Sequence, residues 1–168
     1  NTIYTIMVYV CDSKFPERFE GEAKCIFDKW PFDLSDFQKY SIYAILKKKH
    51  AIVTAHTGSG KTLPAVFALS HFVGSTKKKK VIYTAPIKAL SNQKFHEFSE
   101  RFPEYSFGIL TGDIKFNPEA DVLIMTTEIL RNTLFQMKMI EEGTFEESQL
   151  DLHFKMNMET ELGCVIFD

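Results

Sequence analysis

Short unbroken apolar runs alternate along this chain with stretches whose apolar residues recur every three or four positions. Runs of the first kind read as buried strands, and stretches of the second kind read as helices laid against a sheet. The predicted strands are 51–54, 81–84, 106–110, 121–125 and 163–167. A helix is predicted over 33–48, where Leu34, Phe37, Ile42, Ile45 and Leu46 share a face. Ser35 suits its N-cap, and the lysines at 47–49 suit its C-terminus. Further helices are expected from 62 to about 72, from 87 to 101 after the turn former Pro86, and from Thr126 to about 136. Residues 2–10 are apolar, but no basic region precedes them and Cys11-Asp12 follows, so they read as a strand rather than a signal peptide.

This alternation predicts an α/β fold with a mostly parallel sheet and helices on both faces. Residues 1–29 read as an N-terminal strand and a polar connector, and 30–168 as one domain. Residues 137–161 break the rhythm with seven acids, Glu141, Glu142, Glu146, Glu147, Asp151, Glu159 and Glu161. They read as an insertion between a helix and the last strand. No internal repeat is visible.

Composition narrows the class. A chain of 168 residues, 45% hydrophobic and 25% charged, can bury a proper core. Sixteen phenylalanines predict an aromatic interior. A net charge of −2 and a pI near 6.2 exclude a strongly basic nucleic-acid binder. Any nucleic-acid contact must then be local, made by backbone amides and a few side chains. Cys11, Cys25 and Cys164 are widely spaced and lack a CxxC pattern, which fits neither a disulfide framework nor a zinc site. Reduced thiols and an intracellular setting are expected, cytoplasmic or nuclear alike. No apolar stretch has membrane-spanning length, so no membrane partner is expected.

The strongest chemical signal is Ala55-His56-Thr57-Gly58-Ser59-Gly60-Lys61-Thr62, set between a predicted strand and a predicted helix. Strand, glycine-bearing loop, Lys-Thr and helix describe a phosphate-binding loop, although the first position is Ala rather than Gly. Gly58 and Gly60 let the backbone curl so that its amides face phosphates. Lys61 brings a mobile positive charge, Thr62 offers a hydroxyl to Mg2+, and the helix N-terminus adds its dipole. The expected ligand is a nucleoside triphosphate with Mg2+, ATP in the first place, with Thr57 and Ser59 also in the loop that holds it.

A second carboxylate should hold the metal from another strand. Asp168, at the end of the apolar run 163–167, supplies one. Upstream, Gln38 and Phe32 lie six residues apart. Gln can pair with the N6/N7 edge of adenine and an aromatic ring can stack on the base. Spacing alone equally describes a helix-surface Gln beside a core Phe. The run Lys77–Lys80 reads as a solvated turn, and His56 and His71 show no ligand spacing.

Several blocks resemble one family. Trp30-Pro31-Phe32-Asp33-Leu34 through Phe37-Gln38-Lys39 resembles the adenine-reading segment of superfamily 2 helicases, and 55–62 resembles their motif I. Thr84-Ala85-Pro86-Ile87-Lys88-Ala89-Leu90-Ser91-Asn92-Gln93-Lys94-Phe95 is very similar to motif Ia of the superkiller and exosome-associated DExH-box RNA helicases. Leu110-Thr111-Gly112-Asp113, Asn117-Pro118 and Leu123-Ile124-Met125-Thr126-Thr127-Glu128-Ile129-Leu130-Arg131 resemble that family's next blocks, and Val165-Ile166-Phe167-Asp168 resembles the opening of its DExH motif. The resemblance covers 30–136 and 163–168, in the family's order. One departure is Gly58-Ser59 where the family commonly has Ser-Ala.

The resemblance implies the first of two RecA-like domains of a motor that hydrolyses ATP and moves along RNA. By resemblance, Phe32 and Gln38 hold adenine, and Thr57 to Thr62 hold phosphates. Lys61, Thr62 and Asp168 serve catalysis, with Thr62 and Asp168 at the metal. Single-stranded RNA is implied at Pro86 and Lys88, at Thr111, Gly112 and Asp113, and at Thr126, Thr127, Glu128 and Arg131, through contacts blind to base sequence. The chain then reads as a piece ending inside the DExH motif, with little turnover alone. A second RecA-like domain is an implied partner, and 137–161 is an expected docking segment for a protein partner. A DNA translocase of the same superfamily, or a non-catalytic nucleotide-binding or docking module, are the competing readings.

Overall fold

The computed structural model describes residues 8–76, 78–150 and 152–168. Most of the predicted first strand, together with Lys77 and Asp151, lies outside the described residues. The chain divides into two compact units, one through Ala68 and one from Leu69.

The first unit holds α1 (Glu17–Phe27), α2 (Asp36–Leu46), the loop 47–61 and the start of α3 (Thr62–Val73). Where the sequence reading has a polar connector, there is a helix. Phe19, Ala23, Ile26 and Phe27 recur at helical spacing, and their stripe is buried or half-buried in the aromatic core. Glu17 and Glu20 in the first turn of α1 and Lys24 in the last complement its dipole. Phe15 is the hub of this core, with ring centroids of Phe27, Tyr40 and Tyr43 at 5.6, 5.0 and 5.7 Å. Its amide donates to Asp36 Oδ1 at 2.8 Å, which ties the segment before α1 to the first turn of α2. Residues 8–10 are exposed and form no strand.

The predicted strand 51–54 is also absent, and Ile52 is 94% exposed. An apolar run becomes a strand only when a neighbour takes up its amides and carbonyls. Among its described residues the first unit contains no second strand to do so.

The second unit is built on β1 (Lys80–Ala85), α4 (Lys88–Arg101), β2 (Phe107–Leu110), β3 (Lys115–Phe116), β4 (Val122–Thr126), α5 (Thr127–Glu141) and β5 (Leu162–Phe167). The sheet order is β3-β2-β4-β1-β5, parallel throughout except for the short β3. Central strands β1, β2 and β4 are almost wholly buried, as their unbroken apolar runs require. Helices cover both faces. Tyr83 packs edge-on against Phe98 of α4 at 5.2 Å. Ile82, Leu110, Leu123 and Met125 pack with Ile129 and Leu130 of α5. The hairpin-like return of β3 was not predicted. It demands glycine at 108, where a Cβ would stand 2.2 Å from the Asn117 carbonyl oxygen.

The segment 137–161, read as an insertion, is helical at its start and supplies core residues further on. α5 runs on to Glu141, five residues past the predicted end. Phe154 and Met156, 2% and 9% exposed, complete the core cluster beneath α5, with Met137 and Met158 packed against it. Glu141, Glu142, Glu146, Glu147 and Glu159 are exposed while these spaced apolar residues reach in. No helix among the described residues is long and apolar enough to cross a membrane.

Candidate nucleotide and nucleic-acid sites

The glycine-bearing loop sits at the head of α3. Gly58 and Gly60 have φ of 83° and 85°, in the left-handed region that favours glycine. A Cβ at 60 would also lie 2.6 Å from Gln38 Nε2, so the Gln38 side chain would have to shift off the loop. Ser59 closes the turn, its hydroxyl donating to the His56 carbonyl at 2.7 Å and its amide to the same oxygen at 3.3 Å. The Lys61 ammonium is folded over the loop and donates to the carbonyls of Ala55 and His56 at 2.7 and 2.6 Å. These neutral acceptors are weaker partners than a phosphate oxygen, so an incoming anion draws Lys61 off them. Thr62 opens the helix and Thr57 is exposed on the rim.

Gln38 is buried, and it joins α2 to this loop. Its Oε1 accepts from the Ser35 amide at 2.9 Å, the reciprocal half of a capping box. Its Nε2 donates to the Gly60 carbonyl at 3.2 Å. The side chain therefore touches the phosphate loop directly, which the surface-Gln alternative does not provide for. Phe32 is 52% exposed and leans on Trp30 at 5.9 Å. It lines an open cleft of about 350 Å³ with Trp30, Pro31, Asp33 and Lys39, to which Gln38 does not contribute. The adenine pair of the sequence reading thus divides between a loop contact and a cleft wall.

At the other candidate, Asp168 follows β5, and its amide donates to the Thr84 carbonyl at 3.0 Å. Asp168 Oδ2 accepts from the Tyr83 hydroxyl at 2.6 Å. Burial, and then the hydrogen bond and charge of Asp168, push the Tyr83 phenol far above its ordinary range, so it stays a donor. Sequence reasoning missed Tyr83. The signal was a hydroxyl in the middle of a buried apolar strand, which must find a partner. Asp168 and Thr62 are hard oxygen donors. Each is a donor of the type that Mg2+ takes, a cation with few protein ligands that keeps waters and phosphate oxygens. Among the described residues no three His, Cys, Asp or Glu side chains form a ready-made metal cluster.

The remaining candidates fall at the carboxyl ends of β1, β2 and β4, adjacent and parallel in the sheet. Pro86 and Lys88 follow β1, Thr111 to Asp113 follow β2, and Thr126 to Glu128 follow β4. Such ends are where open α/β sheets bind ligands. Thr126 is the N-cap residue of α5 without a side-chain cap bond. The Thr127 hydroxyl donates to the Ala85 carbonyl at 3.4 Å, joining two of the loops. The Lys88 ammonium pairs with Asp113 Oδ2, and the Thr111 hydroxyl donates to Asp113 Oδ1 at 2.9 Å. These bonds, Lys88 first and Thr111 next, hold the Asp113 carboxyl below its ordinary range. Glu128 is exposed, and Arg131 reaches Asn132 Oδ1 at 3.3 Å. The lysine run serves structure: Lys78 pairs with Asp121 at 2.9 Å, Lys79 with the Thr160 carbonyl, and Lys80 with Glu119 and Glu161 at 3.5 and 3.7 Å.

A parallel α/β sheet with loops of this kind at its strand ends, and a glycine loop heading a helix, define a nucleotide-binding domain of the helicase type. The sequence pattern of the DEAD/DEAH box helicase family matches residues 35–168, and the chain belongs to that family. It is 48% identical over 107 residues to the antiviral helicase SKI2 of Saccharomyces cerevisiae, covering 64% of this chain and 8% of that protein. It is 47% identical over 125 residues to the mRNA transport homolog 4 of Caenorhabditis elegans, covering 74% and 12%. It is 44% identical over 108 residues to the exosome RNA helicase MTR4 of Homo sapiens, covering 64% and 10%. The chain thus spans about a tenth of the length of these relatives.

Proposed function

We propose that this chain is the ATP-binding, RNA-contacting first RecA-like domain, residues 30–168, of an ATP-dependent RNA helicase. The reading is carried by the continuity of the family match through 35–168, taken with the left-handed glycines, Lys61 and the Gln38–Gly60 bond of the nucleotide loop. Thr57 to Thr62 cradle the phosphates, Lys61 neutralises them, and Thr62 and Asp168 hold Mg2+. Bound Mg2+ supplies charge neutralisation to phosphoryl transfer. Gln38 reads adenine from its post beside the loop, and Phe32 offers its exposed ring to the base. Tyr83 fixes one oxygen of Asp168, so that the other is presented in a constant orientation. The loops after β1, β2 and β4 take the RNA backbone. Motion and unwinding belong to the whole protein, with a second RecA-like domain as partner.

RNA is preferred over DNA because the relatives are named as RNA helicases or mRNA transport proteins over the same blocks. The test is ATP hydrolysis by the full chain with single-stranded RNA or DNA of one sequence. RNA stimulates turnover and DNA does not compete. Equal stimulation by both would replace this reading with a DNA translocase, and no stimulation by either would leave a nucleotide-binding or docking module.

A further inference from the structure

Beyond the ends of β2, β4 and β1 the charged candidates are two cations, Lys88 at the head of α4 and Arg131 in α5, and two carboxylates, Asp113 and Glu128, so the charges of these four sum to zero. A neutral patch is a poor attractor for a polyanion, since phosphate contacts draw their strength from uncompensated positive charge. Asp113 is the residue that compensates Lys88. One of its oxygens takes the Lys88 ammonium and the other takes the Thr111 hydroxyl. Thr111 is 2% exposed and its amide donates to the Ile114 carbonyl at 2.8 Å, so that hydroxyl is set in place by the turn. The carboxylate thus covers an ammonium that follows β1 and a hydroxyl that follows β2 with a single negative charge spread over two oxygens. A phosphodiester offers the same charge over the same number of free oxygens.

We infer that Asp113 is an internal stand-in for a backbone phosphate, and that RNA binds here by displacing it from Lys88 and Thr111. The inference rests on the RNA reading above. It differs from treating Asp113 as an RNA contact, because a carboxylate facing phosphates repels them. The Lys88 and Asp113 side chains are about half exposed, at 49% and 59%, so their pair is held weakly and exchanges readily. The exchange lets the strand be gripped and released without leaving Lys88 unpaired.

The experiment compares the full chain with its Asp113→Asn variant, titrated with a short single-stranded RNA and its DNA counterpart over a range of salt. Asn keeps the shape and an acceptor for Thr111 but removes the charge. The variant binds RNA several-fold more tightly, and its dependence of log K on log salt steepens by up to about 0.7, the increment of one phosphate contact to a single strand. Adding Lys88→Ala to the variant removes the gain. Unchanged affinity and slope would overturn the inference while leaving the RNA reading intact. A variant that loses RNA binding but keeps DNA binding would also overturn it, and would show the carboxylate receiving a 2′-hydroxyl instead. Failure of the unsubstituted protein to bind RNA would overturn both.

Discussion

Gln38 shows what a residue can and cannot declare in a sequence. Its place at the third position of a helix behind Ser35 was legible, because a capping pair needs only local spacing. Its bond to the Gly60 carbonyl was not, because that depends on where the loop 47–61 returns the chain. Gly58, Gly60 and Lys61 were legible for the opposite reason. Their chemistry is local, and only glycine accepts the φ values found there without strain. Tyr83 and the Asp113 triad were hidden, since each joins residues 25 or more positions apart or turns on which side chain faces which. Cys164 gives a prediction at this scale. Burial pushes its thiol up to about 12, whereas Cys11 and Cys25 are exposed. Two thiols therefore react quickly with an aromatic disulfide reagent at pH 8 in the native chain, and the half-buried Cys164 reacts much more slowly until the chain unfolds. Three equal native rates would contradict its placement.

At the scale of elements, β1, β2, β4, β5 and α4 of the second unit followed from apolar runs and helical spacing within a residue or two, whereas the end of α5 and the short β3 did not. The failures have one cause, which is that an element forms only with a partner. The run 51–54 has the composition of a strand but forms none, and its Ile52 is exposed. The helix α1 looked like a connector because its charged face, with Glu17, Arg18, Glu20 and Lys24, outweighs a narrow aromatic stripe. In 137–161 the acids dominated the reading, while Phe154 and Met156 supply the packing. Truncating Phe154 to Ala should cost about 3–5 kcal/mol of unfolding free energy, as for other buried aromatic side chains. Urea denaturation of the variant measures it. A loss of only about 1 kcal/mol, the size typical of surface or average substitutions, would return the segment to the status of an insertion. The acidic stretch stays open to a protein partner on its outer face, where Glu141, Glu142, Glu146 and Glu159 are exposed.

For the whole molecule, the family supplies what neither composition nor spacing could. A net charge of −2 gives no hint of a nucleic-acid partner. On the proposed reading, the donors at the carboxyl ends of three adjacent strands take up RNA once a phosphate displaces Asp113 from Lys88. The proposed nucleotide loop follows the same logic: Lys61 rests on the Ala55 and His56 carbonyls, and on that reading would exchange them for a phosphate. Everything assigned to this chain depends on that loop taking a nucleotide. The direct measurement is the melting temperature of the chain titrated with ADP or ATP in Mg2+, for the unsubstituted protein and for Lys61→Ala. Ligand at a hundred times its dissociation constant adds about 2.7 kcal/mol to stability, enough to move the transition by several degrees. The account predicts a rise that saturates with nucleotide, and a Lys61→Ala variant that melts like the parent without ligand and does not rise with it. An unchanged parent, or an equal rise in the variant, would contradict it.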